Sequence, residues 1–195
     1  MTLHIGSLIA RHARYRPDHL AVVFGEERLS YAQFYARVNK LVHVLHRLGL
    51  RKGDKVATIL PNCLPVIEIY WAVAQAGLVV VPLSPLLRGP GLLRLLSDSD
   101  SAAIITVREM VDELEPLRAE LPIAAQRYLL VDADDMPGYQ SYAALMQAAP
   151  SDEPPAVALD RDDLYNIIYS SGTTGLPKGI QHTHQIGRAS CRERV

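Results

Sequence analysis

Residues 54–83, DKVATILPNCLPVIEIYWAVAQAGLVVVPL, place two β-type runs on either side of a helical one. Val56-Ala57-Thr58-Ile59-Leu60 is short, apolar and rich in β-branched side chains, and Pro61 ends it. Asn62 stands where it would cap a helix running through Ala76. Pro65 is tolerated in the first turn, where its missing N–H has no helical partner to lose. Gly77 breaks that helix, and Leu78-Val79-Val80-Val81 is a compact strand with no polar side. Strand, helix and strand in this order make a βαβ unit, which calls for a parallel sheet.

The same alternation extends in both directions. Upstream, Ser30-Tyr31-Ala32-Gln33 has the form of a capping box. Behind it Phe34, Val38, Leu41, Val42, Leu45 and Leu48 recur at helical spacing, and Gly49 marks the stop. Downstream, a helix is expected over Gly91–Leu96 and a strand over Ala102–Val107. Glu109–Glu120 contains Pro116, so any helix there is broken or short. Arg127–Val131 reads as a strand, Tyr139–Ala148 as a helix, residues 150–155 as a proline-stiffened loop, and Leu164–Tyr169 as a buried strand. The fold class is therefore α/β, with a mostly parallel sheet and helices on both faces.

With 195 residues, 49% apolar and 21% charged, the chain suits one compact domain and excludes gross disorder. A formal charge of −1 argues against a polybasic nucleic-acid surface. The most apolar stretch, Ile69–Leu83, is interrupted by Gln75, Gly77 and Pro82 and is too short to cross a bilayer. No secretory signal is visible, and two cysteines make no disulfide framework, so a cytoplasmic location is expected. Residues 186–195 break the pattern: three arginines crowd into ten positions, with no apolar period. They resemble the in-frame translation of a sequencing-library adaptor and are expected to be a non-native tail. That segment carries a net +2, which leaves −3 on residues 1–185 and Cys63 as their only cysteine.

One motif carries chemistry. After the strand ending at Tyr169 comes Ser170-Ser171-Gly172-Thr173-Thr174-Gly175-Leu176-Pro177-Lys178-Gly179. Its glycines let the backbone turn tightly and aim several N–H groups at one point, its hydroxyls add donors, and Lys178 adds a point charge. That combination suits a triphosphate. It is not the P-loop of common NTPases, because Pro177 precedes the lysine and Gly179 follows it. A grip by loop and hydroxyls is expected rather than one by a helix N-terminus. The bland alternative is a glycine-serine turn joining two strands.

This string resembles the signature loop of the AMP-forming superfamily of acyl-CoA synthetases, adenylation domains and luciferases. Other stretches match the family in order: Leu29-Ser30-Tyr31 with Phe34, Gln75-Ala76-Gly77 with Val81-Pro82-Leu83, Leu95–Ser99, and Thr183-His184. The resemblance covers residues 5–185. It implies that residues 1–185 are the incomplete N-terminal part of the large adenylate-forming domain. It also implies that the parent enzyme joins a carboxylic acid to coenzyme A through an acyl-adenylate, using ATP and Mg2+. Ser170, Ser171, Gly172, Thr173, Thr174, Gly175 and Lys178 would hold the ATP phosphates. The family's adenine, ribose and magnesium contacts, acyl pocket and catalytic lysine come later in its sequences. No catalytic residue is therefore expected in this chain, which by itself should be inactive. Within the family, an amino-acid-activating domain is the alternative, but Gly77-Leu78-Val79-Val80-Val81-Pro82 and Gly172-Thr173-Thr174-Gly175 lean towards acyl-CoA synthetases. A non-catalytic nucleotide-binding module is the alternative outside it.

Other polar groups read as structural. His182 and His184 alternate, but two ligands without a third make no metal site. His43 and His46, three apart on a helix, suit surface positions. Asp132, Asp134 and Asp135, like Asp160, Asp162 and Asp163, suit solvated turns. Tyr70 and Trp71 suit the core, and Cys63 inert packing.

Overall fold

The computed structural model describes residues 4–170 and 177–185. In chain order it contains α1 (Ile5–Tyr15), β1 (Leu20–Phe24), β2 (Glu27–Ser30), α2 (Tyr31–Arg47), β3 (Lys55–Ile59), α3 (Leu64–Ala76), β4 (Val79–Leu83), α4 (Gly89–Asp98) and β5 (Ser101–Thr106). After two 3-10 turns flanking the one-turn α5 (Val111–Leu114) come β6 (Tyr128–Leu130), β7 (Gln140–Ser141), α6 (Tyr142–Ala148), β8 (Leu164–Ser170) and β9 (Lys178–Thr183). β1 and β2 form a separate antiparallel hairpin, and seven strands make the main sheet in the order β7-β6-β5-β3-β4-β8-β9.

Every neighbouring pair in that sheet is parallel except β8 and β9. The central strands are largely buried: Val56, Ala57, Ile59, Val80, Val81, Ile104 and Ile105 are all inaccessible to solvent. Crossover direction assigns the helices to faces. β3 to β4 moves one way along the sheet, whereas β4 to β5 and β5 to β6 move the other way. Right-handed crossovers then put α3 on one face and α4 and the Arg108–Glu120 segment on the opposite one. The packing agrees: α3 touches α1 and α2, α2 touches α6, and α4 touches the Glu115–Glu120 turn.

The capping box forms as the sequence predicts, with Gln33 N–H donating to Ser30 Oγ at 3.3 Å and Ser30 N–H donating to Gln33 Oε1 at 2.9 Å. α2 then buries Phe34, Val38, Leu41, Val42 and Leu45 against the core, and the chain turns at Gly49 with φ +76°. Gly77 closes α3 with φ +70°.

Several boundaries differ from the sequence reading. The N-cap of α3 is Cys63, not Asn62, and its side chain makes no capping bond. Starting at Leu64 places Pro65 closer to the helix start, where a proline fits best. α6 begins at Tyr142 rather than Tyr139, because Ser141 Oγ accepts from Ala144 N–H at 3.0 Å and caps there. The expected Glu109–Glu120 helix is a 3-10 turn, four α-helical residues and a second 3-10 turn with Pro116 in its first positions. α4 is longer than Gly91–Leu96 at both ends. α1 and the β1–β2 hairpin were not expected at all, and β9 was anticipated only in the alternative of a turn joining two strands.

A buried network fastens the helical face. Glu68 of α3 has no solvent exposure. It accepts from Arg37 Nε of α2 and from the Tyr142 hydroxyl of α6, the latter at 2.6 Å. Burial first, and then the Glu68 carboxylate, push the Tyr142 hydroxyl pKa well up, so it stays a donor.

Candidate functional site

β8 runs parallel to β4, with Asn166 beside Val80, and ends at Ser170. The chain returns as β9, which pairs with β8 from Ser170↔Lys178 through Tyr169↔Gly179 and Ile168↔Ile180 to Asn166↔His182. Ser170 and Lys178 therefore face each other across the neck of an antiparallel hairpin, and both are exposed. Among the described residues Lys178 has no carboxylate within ion-pair distance. Ser171, Gly172, Thr173, Thr174 and Gly175, the rest of the predicted phosphate-binding set, lie outside the described residues.

The element after the motif is a strand, whereas a P-loop leads into a helix. Among the described residues the lysine opens β9 rather than a helix, so no helix begins at its position. The neck also sits at a branch point of the topology. The connection after β4 leads to β5, on the far side of β3, while the connection after β8 leads to β9 on the opposite side. The carboxyl ends of two adjacent parallel strands thus diverge, and open α/β sheets bind ligands in such crevices.

The strands below the neck are closely fitted. A methyl group on Gly179 would sit 3.0 Å from Ile167 Cγ2 and 3.2 Å from Tyr169 Cε1, so the glycine makes room for the tyrosine ring. The Tyr169 hydroxyl donates to Asp98 Oδ2 at 2.5 Å, at the last residue of α4. Lower down, His182 Nδ1 donates to Asn166 Oδ1 at 2.7 Å. At the base Lys52 Nζ pairs with Asp163 Oδ2 at 2.6 Å and donates to Ala158 O at 2.8 Å.

The remaining candidates resolve structurally. His182 and His184 share no ligand: His184 lies beyond β9, buried between the rings of His4 and Tyr165 at 5.7 and 5.6 Å. Among the described residues no group of three His, Cys, Asp or Glu side chains is placed to hold a metal. Cys63 is half-buried, and burial pushes its thiol pKa up, which suits an inert thiol. Asp132 accepts from Arg108 N–H at 2.8 Å and Asp134 from the Ser141 hydroxyl at 2.6 Å, so these carboxylates order turns. His43 and His46 are half-buried on α2 rather than fully exposed, and Tyr70 and Trp71 are half-buried rather than enclosed.

A cavity of about 390 Å3 opens elsewhere, between α1, α2, the end of α3 and residues 153–157. Arg11, Arg14, Tyr35, Gln75 and Glu153 line it, and neither Ser170 nor Lys178 does. Sequence reasoning missed the Tyr169–Asp98 bond and the Glu68 network. For Glu68 a signal existed: it is the one charged residue in the run Leu64–Ala76.

A mostly parallel seven-stranded sheet with helices on both faces defines an α/β class of protein. The chain belongs to the AMP-binding enzyme family, whose model matches residues 9–193. It is 34% identical over 184 residues to the long-chain-fatty-acid–CoA ligase FadD13 of Mycobacterium tuberculosis, covering 93% of this chain and 35% of that protein. It is 36% identical over 180 residues to a feruloyl-CoA synthase of an Amycolatopsis species, covering 92% and 33%. The anthranilate CoA ligase AuaEII, solved with anthranoyl-AMP, superposes with a TM-score of 0.87 at 24% identity, over 94% of this chain and 35% of that one; this likeness shows the fold. The chain spans about a third of the length of the curated relatives it matches. Among the described residues no helix is long and apolar enough to cross a membrane.

Proposed function

We propose that residues 1–185 belong to an ATP-dependent carboxylate–CoA ligase and supply its grip on the nucleotide's phosphates. In the first step a carboxylate oxygen attacks the α-phosphorus of MgATP, the bond to the β-phosphate breaks, and pyrophosphate leaves with an acyl-adenylate formed. In the second the coenzyme A sulfur attacks the acyl carbon and AMP leaves, giving the thioester. The first step brings an anion onto a polyanion, so fixed donors and cations must offset the repulsion and hold the departing charge. Ser170, Ser171, Gly172, Thr173, Thr174, Gly175 and Lys178 take that part. Magnesium arrives as part of the substrate, on the nucleotide.

The observation that carries this reading is the Ser170↔Lys178 pairing. It sets Ser170 and Lys178, a hydroxyl and an ammonium, opposite each other at the carboxyl end of the sheet, in a chain whose family membership is shown. Residues 186–195 are a non-native tail in this reading. The family match ends inside that segment, at residue 193, so sequencing the source DNA past codon 185 decides the point.

The test is ATP–pyrophosphate exchange by the longer gene product with a panel of carboxylic acids. Exchange with aliphatic or aromatic acids, lost in Thr174→Ala and Lys178→Ala, is the expected result. Exchange driven by amino acids alone would move the protein to the amino-acid-activating branch. Variants as active as the parent would overturn the site. The 195-residue chain alone is expected to show no exchange.

A further inference from the structure

Ser170 and Lys178 gain their geometry from the β8–β9 hairpin, in which, among the described residues, β9 pairs with β8 alone. A lysine loses about 2 kcal/mol of rotamer freedom when fixed. A phosphate grip built there needs an anchor outside its own two strands. Asp98 provides one, 71 residues away in sequence, at the end of α4.

We propose that Tyr169 is a positioning residue for the nucleotide's phosphates: its hydroxyl, held by Asp98, and its ring, seated against Gly179, fix the neck from which Ser170 and Lys178 reach the ligand. This rests on the function proposed above. Three observations support it. Tyr169 immediately precedes Ser170 and is the cross-strand partner of Gly179, which immediately follows Lys178. Gly179 lacks the methyl group that would press on the ring, so the ring can lie across the partner strand. The O–H···O− bond falls in the short range of charge-assisted bonds. Burial, and then Asp98 itself, push the Tyr169 hydroxyl pKa up, so the donor keeps its proton at neutral pH.

The experiment uses the longer gene product and separates the KM for MgATP from the KM for the carboxylic acid. Tyr169→Phe and Asp98→Ala are each expected to raise the KM for MgATP roughly three- to tenfold, the worth of one hydrogen bond, and to leave the other KM unchanged. Asp98→Asn keeps an oxygen that accepts from the hydroxyl and should return most of the loss. The double variant Tyr169→Phe/Asp98→Ala should be no worse than either single one, because both remove the same bond. Lys178→Ala is the reference. If it raises the KM for MgATP while Tyr169→Phe and Asp98→Ala do not, the positioning role is wrong and the nucleotide site stands. If Lys178→Ala is also without effect, the nucleotide site itself is wrong. Both KM values shifting together with a lowered Tm would make Tyr169 a general structural support and overturn the proposal.

Discussion

Tyr142 and Glu68, 74 residues apart, meet inside the protein with the tyrosine hydroxyl 2.6 Å from a carboxylate that has no solvent exposure. Arg37 shares the same carboxylate and is 39% exposed, so one partner of the ion pair keeps contact with water. Removing the carboxylate therefore strands Tyr142 more than Arg37. Glu68→Ala is expected to destabilise the chain by about 3 kcal/mol, near the lower end for breaking a buried pair. Tyr142→Phe, which removes one donor to a charged acceptor, should cost about 1–2 kcal/mol. Urea denaturation measures both, and equal small losses would mean the network is wetter than its burial indicates.

α1 lies against the end of α3 so closely that a methyl on Gly6 would come within 2.7 Å of both Ala74 O and Gln75 Cα. These are backbone atoms, which cannot swing aside as a side-chain tip can. Gly6→Ala is expected to push α1 off, lowering stability by about 1–3 kcal/mol. Trypsin should then cut faster after Arg11 and Arg14. Unchanged cleavage and an unchanged Tm would show that α1 is held by something other than this contact.

The same helix shows where sequence legibility ends. α2 and the β3–α3–β4 unit announce themselves because their apolar positions recur at a fixed period and their ends carry Ser30, Gly49 and Gly77. α1 does place Ile5, Leu8 and Ile9 at helical spacing, but that run spans little more than one turn and starts without a Ser, Thr, Asp or Asn cap. β1 and β2 leave Leu20, Val23 and Phe24 exposed, with no buried face to impose alternation. β9 is exposed over four of its six residues, and a glycine and a lysine stand where β-formers would be expected. In the candidate site, residue types and order were readable because they are local. The antiparallel return, the Tyr169–Asp98 bond and the Glu68 network were not, because each joins residues whose separation in sequence says nothing about their distance in space.

His184 makes acid stability testable. It is 6% exposed, both ring nitrogens lack a hydrogen-bond partner among the described residues, and burial, then His4, push its pKa down to about 4. An ordinary histidine titrates near 6.5, so between pH 6.5 and 4 the unfolded chain binds a proton that the folded chain refuses. Stability from this group is complete above pH 6.5 and is lost as the pH falls towards 4, by on the order of 3 kcal/mol. His184→Phe removes no hydrogen bond and keeps a ring between His4 and Tyr165. It should leave the Tm at pH 7.5 nearly unchanged and raise it relative to the parent at pH 5. An equal pH dependence in both proteins would assign the acid sensitivity to other groups.

The outer margin of the sheet decides how the 195-residue chain behaves alone. Ile168 and Ile180 are cross-strand partners, 40% and 46% exposed, so they form an apolar pair on one face of the β8–β9 hairpin. Beside them, among the described residues, no strand pairs with the other side of β9. An open edge next to an apolar patch is a template for pairing with another copy. The chain is therefore expected to self-associate. Ile180→Lys places a charge where an added strand would have to cover it, and should shift the sedimentation profile towards monomer at the same concentration. If the parent chain already sediments as a monomer and unfolds in one cooperative transition, the exposed pair is no liability. If Ile180→Lys associates as strongly as the parent, the sticky surface lies elsewhere, and the β1–β2 hairpin with Leu20, Val23 and Phe24 becomes the next to change.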